Sequence, residues 1–166
     1  MSAEAAGPTV SGVISEQEFL AAHRLHRRRT VNRQLLLHGS LVVVGLVVAF
    51  TMHVVAGLVL AGAGVGGLAG EWALSRFFLP RRHKKTYRQQ VTLHQKVTCS
   101  WDGDGLRANA ESGHAMRRWS DYVRALEDKQ VFILYQSDVL FEIFPKSWFV
   151  EEEHIDSFRR FSRASA

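Results

Sequence analysis

Cysteine is all but missing from this sequence of 166 residues, where Cys99 stands alone. That excludes an internal disulfide framework and a cysteine-rich zinc site. A gap in charge says more. From Leu35 to Gly70, 36 residues pass without an Asp, Glu, Lys or Arg. A soluble domain carries charged residues every few positions, so this run is no part of one. Signatures of chemistry are missing as well: no phosphate loop, dinucleotide fingerprint or nucleophile elbow occurs. His23 and His26 could share a helix face, yet no acidic or thiol partner nearby completes a ligand set. Asp102 and Asp104 lack the third ligand and closing Glu of a calcium loop. Ser120-Asp121 has no histidine at a spacing that suggests a triad. These absences predict a non-enzymatic protein with no catalytic residue, no cofactor and no metal.

The charge that is present sits in particular places. Residues 1–34 hold five basic and three acidic residues, net +2. Residues 35–90 hold six and one, net +5, and residues 91–166 hold ten and twelve, net −2. The basic excess therefore flanks the apolar run, with Arg24, Arg27, Arg28, Arg29 and Arg33 before it and Arg76, Arg81, Arg82, Lys84, Lys85 and Arg88 after it. A nucleic-acid reader would place it on a folded face or recognition helix. Nucleic acid is thereby excluded as a partner, and the pattern is that of membrane flanks.

A membrane-crossing helix takes about 20 apolar residues. The stretch Leu35–Leu79 is too long for one and suits two, with spans near 35–52 and 54–74. The break falls in Thr51–Gly57, where His53 and Gly57 interrupt the Leu/Val pattern. The run begins too late and extends too far for a signal peptide. Lys and Arg near span ends stay on the cytoplasmic side. Both outer flanks are basic and the turn has neither residue, so both termini are expected in the cytoplasm, where Cys99 would be a free thiol.

Within this stretch, Gly62, Gly66 and Gly70 recur every fourth residue. Such a stripe lets helix backbones approach closely, either inside the hairpin or in a homo-oligomer. Glu71 is the one acidic residue of the region. With a turn near residue 55, His38 is expected at the depth of Glu71, giving a candidate interhelical pair; the alternative leaves Glu71 at the interface beside Trp72. Arg81, Arg82, Lys84 and Lys85 are candidates for contact with anionic membrane lipids through their head groups, beside a purely topological role.

Residues 1–8 are small and polar and are expected to be disordered. Thr9–Ile14 reads as a short strand. Ser15 with Glu18 has capping-box spacing, so a helix should start near Glu16. It is either the lead-in to the first span or a basic helix on the membrane surface. Residues 80–90 read as a basic linker. Val91–Trp101 then alternates as a half-buried strand with Cys99 inward, as a buried small residue. Turns at Asp102–Gly105 and Glu111–Gly113 lead into strands at Leu106–Ala110 and His114–Trp119. Ser120–Glu127 is ambiguous between a short helix and an irregular connection. Val131–Gln136 and Val139–Phe144 are further strands. A helix over about 150–163 has Glu151–Glu153 at its start and Arg159, Arg160 and Arg163 at its end, as the helix dipole favours. The divisions are thus 1–34, 35–79, 80–90 and 91–166. The fold class is an α+β membrane protein, a two-helix transmembrane hairpin plus a small antiparallel sheet or partial barrel capped by a C-terminal helix.

Two short motifs, Trp119-Ser120-Asp121-Tyr122-Val123 and Pro145-Lys146-Ser147-Trp148-Phe149, stand ahead of the acidic helix start. With the order of elements, they resemble the YcxB-like family of bacterial membrane proteins over nearly the whole chain. The resemblance implies a pleckstrin-homology-like fold for residues 91–166 and supplies no catalytic residue or ligand. The expected role is that of an integral inner-membrane protein displaying a cytoplasmic domain that binds a protein partner, a peptide or head groups. The alternative is an accessory subunit of a transporter or membrane enzyme.

Overall fold

A computed structural model describes residues 7–164, with only the backbone of Arg163 and Ala164. The stretch expected to be disordered lies, for residues 1–6, outside the described residues. The chain divides into two compact units, residues 27–85 and residues 1–26 together with 86–166.

In the unit 27–85, two long helices dominate. Helix α1 (Glu16–Thr51) enters it at Arg27, and α2 (Val54–Ala73) follows after a break at Met52–His53. Both Met52 and His53 donate their N–H to the Val48 carbonyl at 3.0 Å, and His53 is extended. Each helix is long and apolar enough to cross a membrane. Large apolar side chains point outward, Leu36 at 75% and Phe50 at 88% exposure. The helices meet through small residues. A Cβ on Gly57 would lie 2.2 Å from the Ala49 nitrogen, and one on Gly64 2.8 Å from the His38 carbonyl oxygen. Only glycine permits that approach. The stripe Gly62, Gly66 and Gly70 is not this seam, since a Cβ on any of the three would meet nothing within 4 Å. Gly57, Ala61 and Gly64 form the contacting row, and each neighbouring position is turned about 100° from it.

Of the basic stretch 80–90, residues 80–89 are helical. A widened π turn at Leu74–Phe78 joins α2 to α3 (Leu79–Gln89). Pro80 offers no N–H to the Arg76 carbonyl and crowds it, and a widened turn just before it relieves that conflict. The Lys, Arg and Gln residues beyond are good helix formers.

Among the described residues the other unit carries seven strands in two antiparallel sheets, more than the sequence displays. The first sheet has the order β1 (Thr9–Gly12), β2 (Val97–Trp101), β3 (Gly105–Ala110), β4 (Gly113–Arg118). The second has β5 (Arg124–Glu127), β6 (Val131–Tyr135), β7 (Phe141–Pro145). The N-terminal strand thus joins the C-terminal sheet, pairing Val10 with Cys99 and Gly12 with Val97. Residues 91–94, expected to open β2, form a 3-10 turn in which Leu93 N–H reaches the Gln90 carbonyl at 3.1 Å. Within the ambiguous Ser120–Glu127, Arg124–Glu127 is a strand because β6 pairs with it.

All five residues of β6 are buried. Phe132 and Leu134 face the main core with Trp101, Leu106 and Trp119, while Val131, Ile133 and Tyr135 pack on Ala21 and Ala22 of α1. The first turns of α1 are therefore a layer of this unit, and the same helix continues unbroken to Thr51, so it is also the lead-in to the first apolar stretch. Their start is closed by the capping box, with Ser15 N–H donating to Glu18 at 2.9 Å and Glu18 N–H to the Ser15 hydroxyl at 3.3 Å.

Helix α4 (Glu152–Ala164) starts two residues later than expected and inserts Phe158, fully buried, among Trp101, Phe132, Phe144 and Phe149. Glu127 of β5 fastens it. Its carboxylate accepts Arg159 Nη2 at 2.7 Å and Lys146 Nζ at 2.6 Å. These partners, Arg159 foremost, lower its pKa from 4.5 to about 2. A depressed carboxylate stabilises the fold above its unfolded pKa and loses that contribution as pH falls. Stability is accordingly expected to drop between pH 4.5 and about 2. Charged hydrogen bonds of this kind are worth on the order of 2 kcal/mol. Glu127→Gln should lower the melting temperature at neutral pH and flatten its acid limb, as thermal unfolding across pH would record.

Candidate functional site

An apolar cavity of about 480 Å³ opens in the sheet-bearing unit. Its size falls within the roughly 300–1,000 Å³ of small binding pockets. Phe141, Glu142, Ile143 and Phe144 of β7 form one side, so residues from both faces of that strand line it. The cavity therefore runs along an edge of β7, which stands at the end of the second sheet. Val97, Cys99 and Ala108 of the first sheet, Phe19 and His23 of α1, and Leu93 of the 3-10 turn complete much of the wall. Val139 and Leu140, 83% and 56% exposed, extend apolar surface at the tip of the β6–β7 connection.

Glu142 is the only Asp, Glu, Lys or Arg lining this cavity among the described residues. It accepts hydrogen bonds from Arg117 Nε at 2.7 Å, Tyr122 Oη at 2.6 Å and Gln136 Nε2 at 2.8 Å. Burial, and then the bond to Glu142, raise the Tyr122 pKa, so this phenol stays a donor. Cys99 is a free, buried thiol pushed up to about 12, chiefly by burial and then by the Glu142 charge. A thiol held there is not an active nucleophile at neutral pH. The cluster around Glu142 was not legible in the sequence, because Arg117, Tyr122, Gln136 and Glu142 meet only in the folded sheets, whereas the inward, buried Cys99 is as the alternation predicts.

His23 and His26 lie in aromatic packing. His23 meets Phe19 and Phe141 at ring-centroid distances of 4.5 and 5.6 Å. His26 Nδ1 lies 2.8 Å from Tyr135 Oη, and burial followed by the Arg124 charge lowers its pKa. Asp102 accepts the N–H groups of Asp104 and Gly105 at 2.9 and 3.1 Å, stabilising the tight turn. No group of three His, Cys, Asp or Glu side chains is placed to hold a metal among the described residues.

The two sequence motifs flank this architecture. Trp119 and Tyr122 are buried, and Trp119 Nε1 donates to the Asp102 carbonyl at 2.7 Å. Trp148 and Phe149 are buried as well, and Lys146 binds Glu127. Residues 101–162 match the YcxB-like protein family. Both motifs fall inside this YcxB-like region. Among curated proteins none matches the chain.

In the unit 27–85, Glu71 is buried, its side chain 7% exposed. It does not pair with His38. Its Oε1 accepts Arg27 Nη2 at 2.5 Å and the Ser75 hydroxyl at 3.0 Å, while Arg27 Nη1 donates to Ser75 at 2.9 Å. Nor does Glu71 sit solvated beside Trp72. His38 Nδ1 is 2.8 Å from the Gln34 carbonyl oxygen of its own helix, and its ring lies against Gly67. The cause is the position of the break, at Met52–His53 rather than near residue 55. His38 is thus level with Gly67, about one turn short of Glu71. The depth expected from a turn near residue 55 therefore misassigned the partner. Arg81, Arg82, Lys84 and Lys85 are exposed on α3.

Breaking a buried ion pair from one side costs about 3–5 kcal/mol. Arg27→Ala and Glu71→Gln should each destabilise the chain in detergent, and the double variant should be far less destabilised than the sum. His38→Ala should be additive with Glu71→Gln, as a thermal double-mutant cycle would measure.

Proposed function

We propose that this chain is an integral protein of the bacterial inner membrane, crossing it twice through α1 and α2 with both termini in the cytoplasm. Residues 91–166 are proposed as a pleckstrin-homology-like, non-enzymatic binding module. The observation that carries the binding role is the apolar cavity along β7, since both cores of the unit are filled while this surface stands uncovered. Two sheets of four and three antiparallel strands closed by one C-terminal helix support the pleckstrin-homology-like reading. The outward apolar side chains of α1 and α2 support the membrane reading. Basic residues on the outer flanks, and none in the turn, support the orientation.

Arg81, Arg82, Lys84 and Lys85 would meet anionic head groups, each contributing about 1 kcal/mol. Open space around Gly62, Gly66 and Gly70 favours a further helix beside α2. That observation favours a second reading, in which the chain serves as an accessory subunit of a transporter or membrane enzyme, or packs as a homo-oligomer.

Reporter fusions at both ends are expected to be active only in cytoplasmic form, and a cysteine replacing His53 should be labelled from outside. An extracytoplasmic C-terminus would overturn the arrangement. Replacing Arg81, Arg82, Lys84 and Lys85 together by Gln should reduce anionic lipid retained in mass spectra of the detergent-released protein. Undiminished retention would leave the cluster a topological role alone.

A further inference from the structure

The cavity's long side is the edge of a strand, and the register of that strand decides which of its backbone groups face the cavity. Gln136 N–H bonds to the Leu140 carbonyl at 2.9 Å and Lys146 N–H to the Gln130 carbonyl at 2.8 Å. Within the same register, Phe132 faces Phe144 and Leu134 faces Glu142. Bonded and non-bonded pairs alternate in an antiparallel ladder. Glu142 and Phe144 therefore spend their N–H and C=O groups on β6, while those of Phe141 and Ile143 point away from it. No backbone partner meets them across that edge among the described residues. Unpaired peptide groups beside apolar walls are costly and call for an occupant that carries its own peptide groups.

The other sheet edges are guarded. β4 carries Arg117 and Arg118, β5 carries Arg124 and Glu127, and β1 is only four residues long. Charged or short edges resist strand addition. β7 reads Phe-Glu-Ile-Phe-Pro, and its one charge, Glu142, is held by Arg117, Tyr122 and Gln136. A hydrocarbon chain would fill the apolar volume but leave the Phe141 and Ile143 groups unpaired.

We infer that the β7 edge and its cavity take an extended peptide segment of a partner protein, added as a strand and apolar at alternate positions. Main-chain bonds to Phe141 and Ile143 would give it register, and its alternate side chains would enter the space between Phe19, Leu93, Val97 and Ile143. A charged residue would find no free counter-charge there, because Glu142 already holds three donors. This rests on the cavity being the binding site of the module and names the class of its ligand.

The test uses the full chain in lipid nanodiscs and a displayed library of random octapeptides. Enriched peptides should alternate apolar residues and lack a central proline. Their binding should slow amide exchange at Phe141 and Ile143 and leave Glu142 and Phe144 unchanged. Ile143→Pro removes an outward N–H while leaving the bonds to β6 intact, and loss of that bond should weaken binding about tenfold. The exchange pattern keeps the test decisive if that variant folds poorly. No enrichment, or exchange protection lacking the Phe141 and Ile143 alternation, would overturn the proposal. So would enriched peptides that bind the Ile143→Pro variant equally well, though these would leave the module a binder at another surface. A fatty acid that displaces no peptide yet protects the whole cavity wall would assign the space to a hydrocarbon chain and overturn the peptide.

Discussion

β6 has no side that faces water, and the sheet-bearing unit is arranged around that fact. Phe132 and Leu134 need a cover on one face and Val131, Ile133 and Tyr135 on the other. Each such side chain contributes about 1.5–3 kcal/mol when fully buried, so neither cover is dispensable. The first sheet and α4 supply one. The second is the start of α1, where Ala21 and Ala22 are small enough for the helix to lie close against the strand, and His26 meets Tyr135 Oη at 2.8 Å. A segment that looks like a juxtamembrane helix in the sequence is therefore a structural layer. The β1 strand is drawn in for the same reason, because it leads directly into the capped start of α1.

How much of this is legible depends on where the deciding interaction lies. The two apolar helices were legible because an absence of charge over 36 residues is a local property. The capping box was legible because Ser15 and Glu18 are three residues apart. By contrast, Arg124-Ala-Leu-Glu127 contains good helix formers, and only the pairing with β6 makes it extended. The run Val-Phe-Ile-Leu-Tyr did carry the signal for burial on both faces, since a continuous apolar strand wants two covers. What it could not name was the cover. Residues 91–94 alternate in polarity like a strand, yet 3-10 bonding satisfies their backbone locally.

The hairpin shows the same division. A carboxylate in an apolar environment calls for a partner, and the sequence offers that reading at Glu71 beside an interfacial one. Which group answers it depends on the position of a two-residue break and on the reach of a long side chain from Arg27. The glycines obey a similar logic. Six glycines lie between Gly57 and Gly70, and any of them could serve a close crossing. Rotation about the helix axis decides between Gly57 with Gly64 and the stripe at Gly62, Gly66 and Gly70, and that rotation follows from the contacts with Val42, Ala49 and His38.

The residues of the two motifs inside the YcxB-like region are largely consumed by folding. Trp119, Tyr122, Trp148 and Phe149 fill the core, and Asp121 accepts the Arg118 N–H at 3.0 Å. Lys146 is held by Glu127, and Ser147 donates to Glu18. Motif residues spent in this way speak for the fold, and function has to be sought in groups the fold leaves unspent. The groups with chemical potential in the cavity are spent too: Cys99 is held as a thiol and Glu142 is saturated by its three donors. What is left is a largely apolar wall, with His23, Thr86, Gln90 and Thr92 among its polar members, and one strand edge. Such a surface offers shape and backbone groups for recognition, which is the physical ground of the proposal that this unit is a binder.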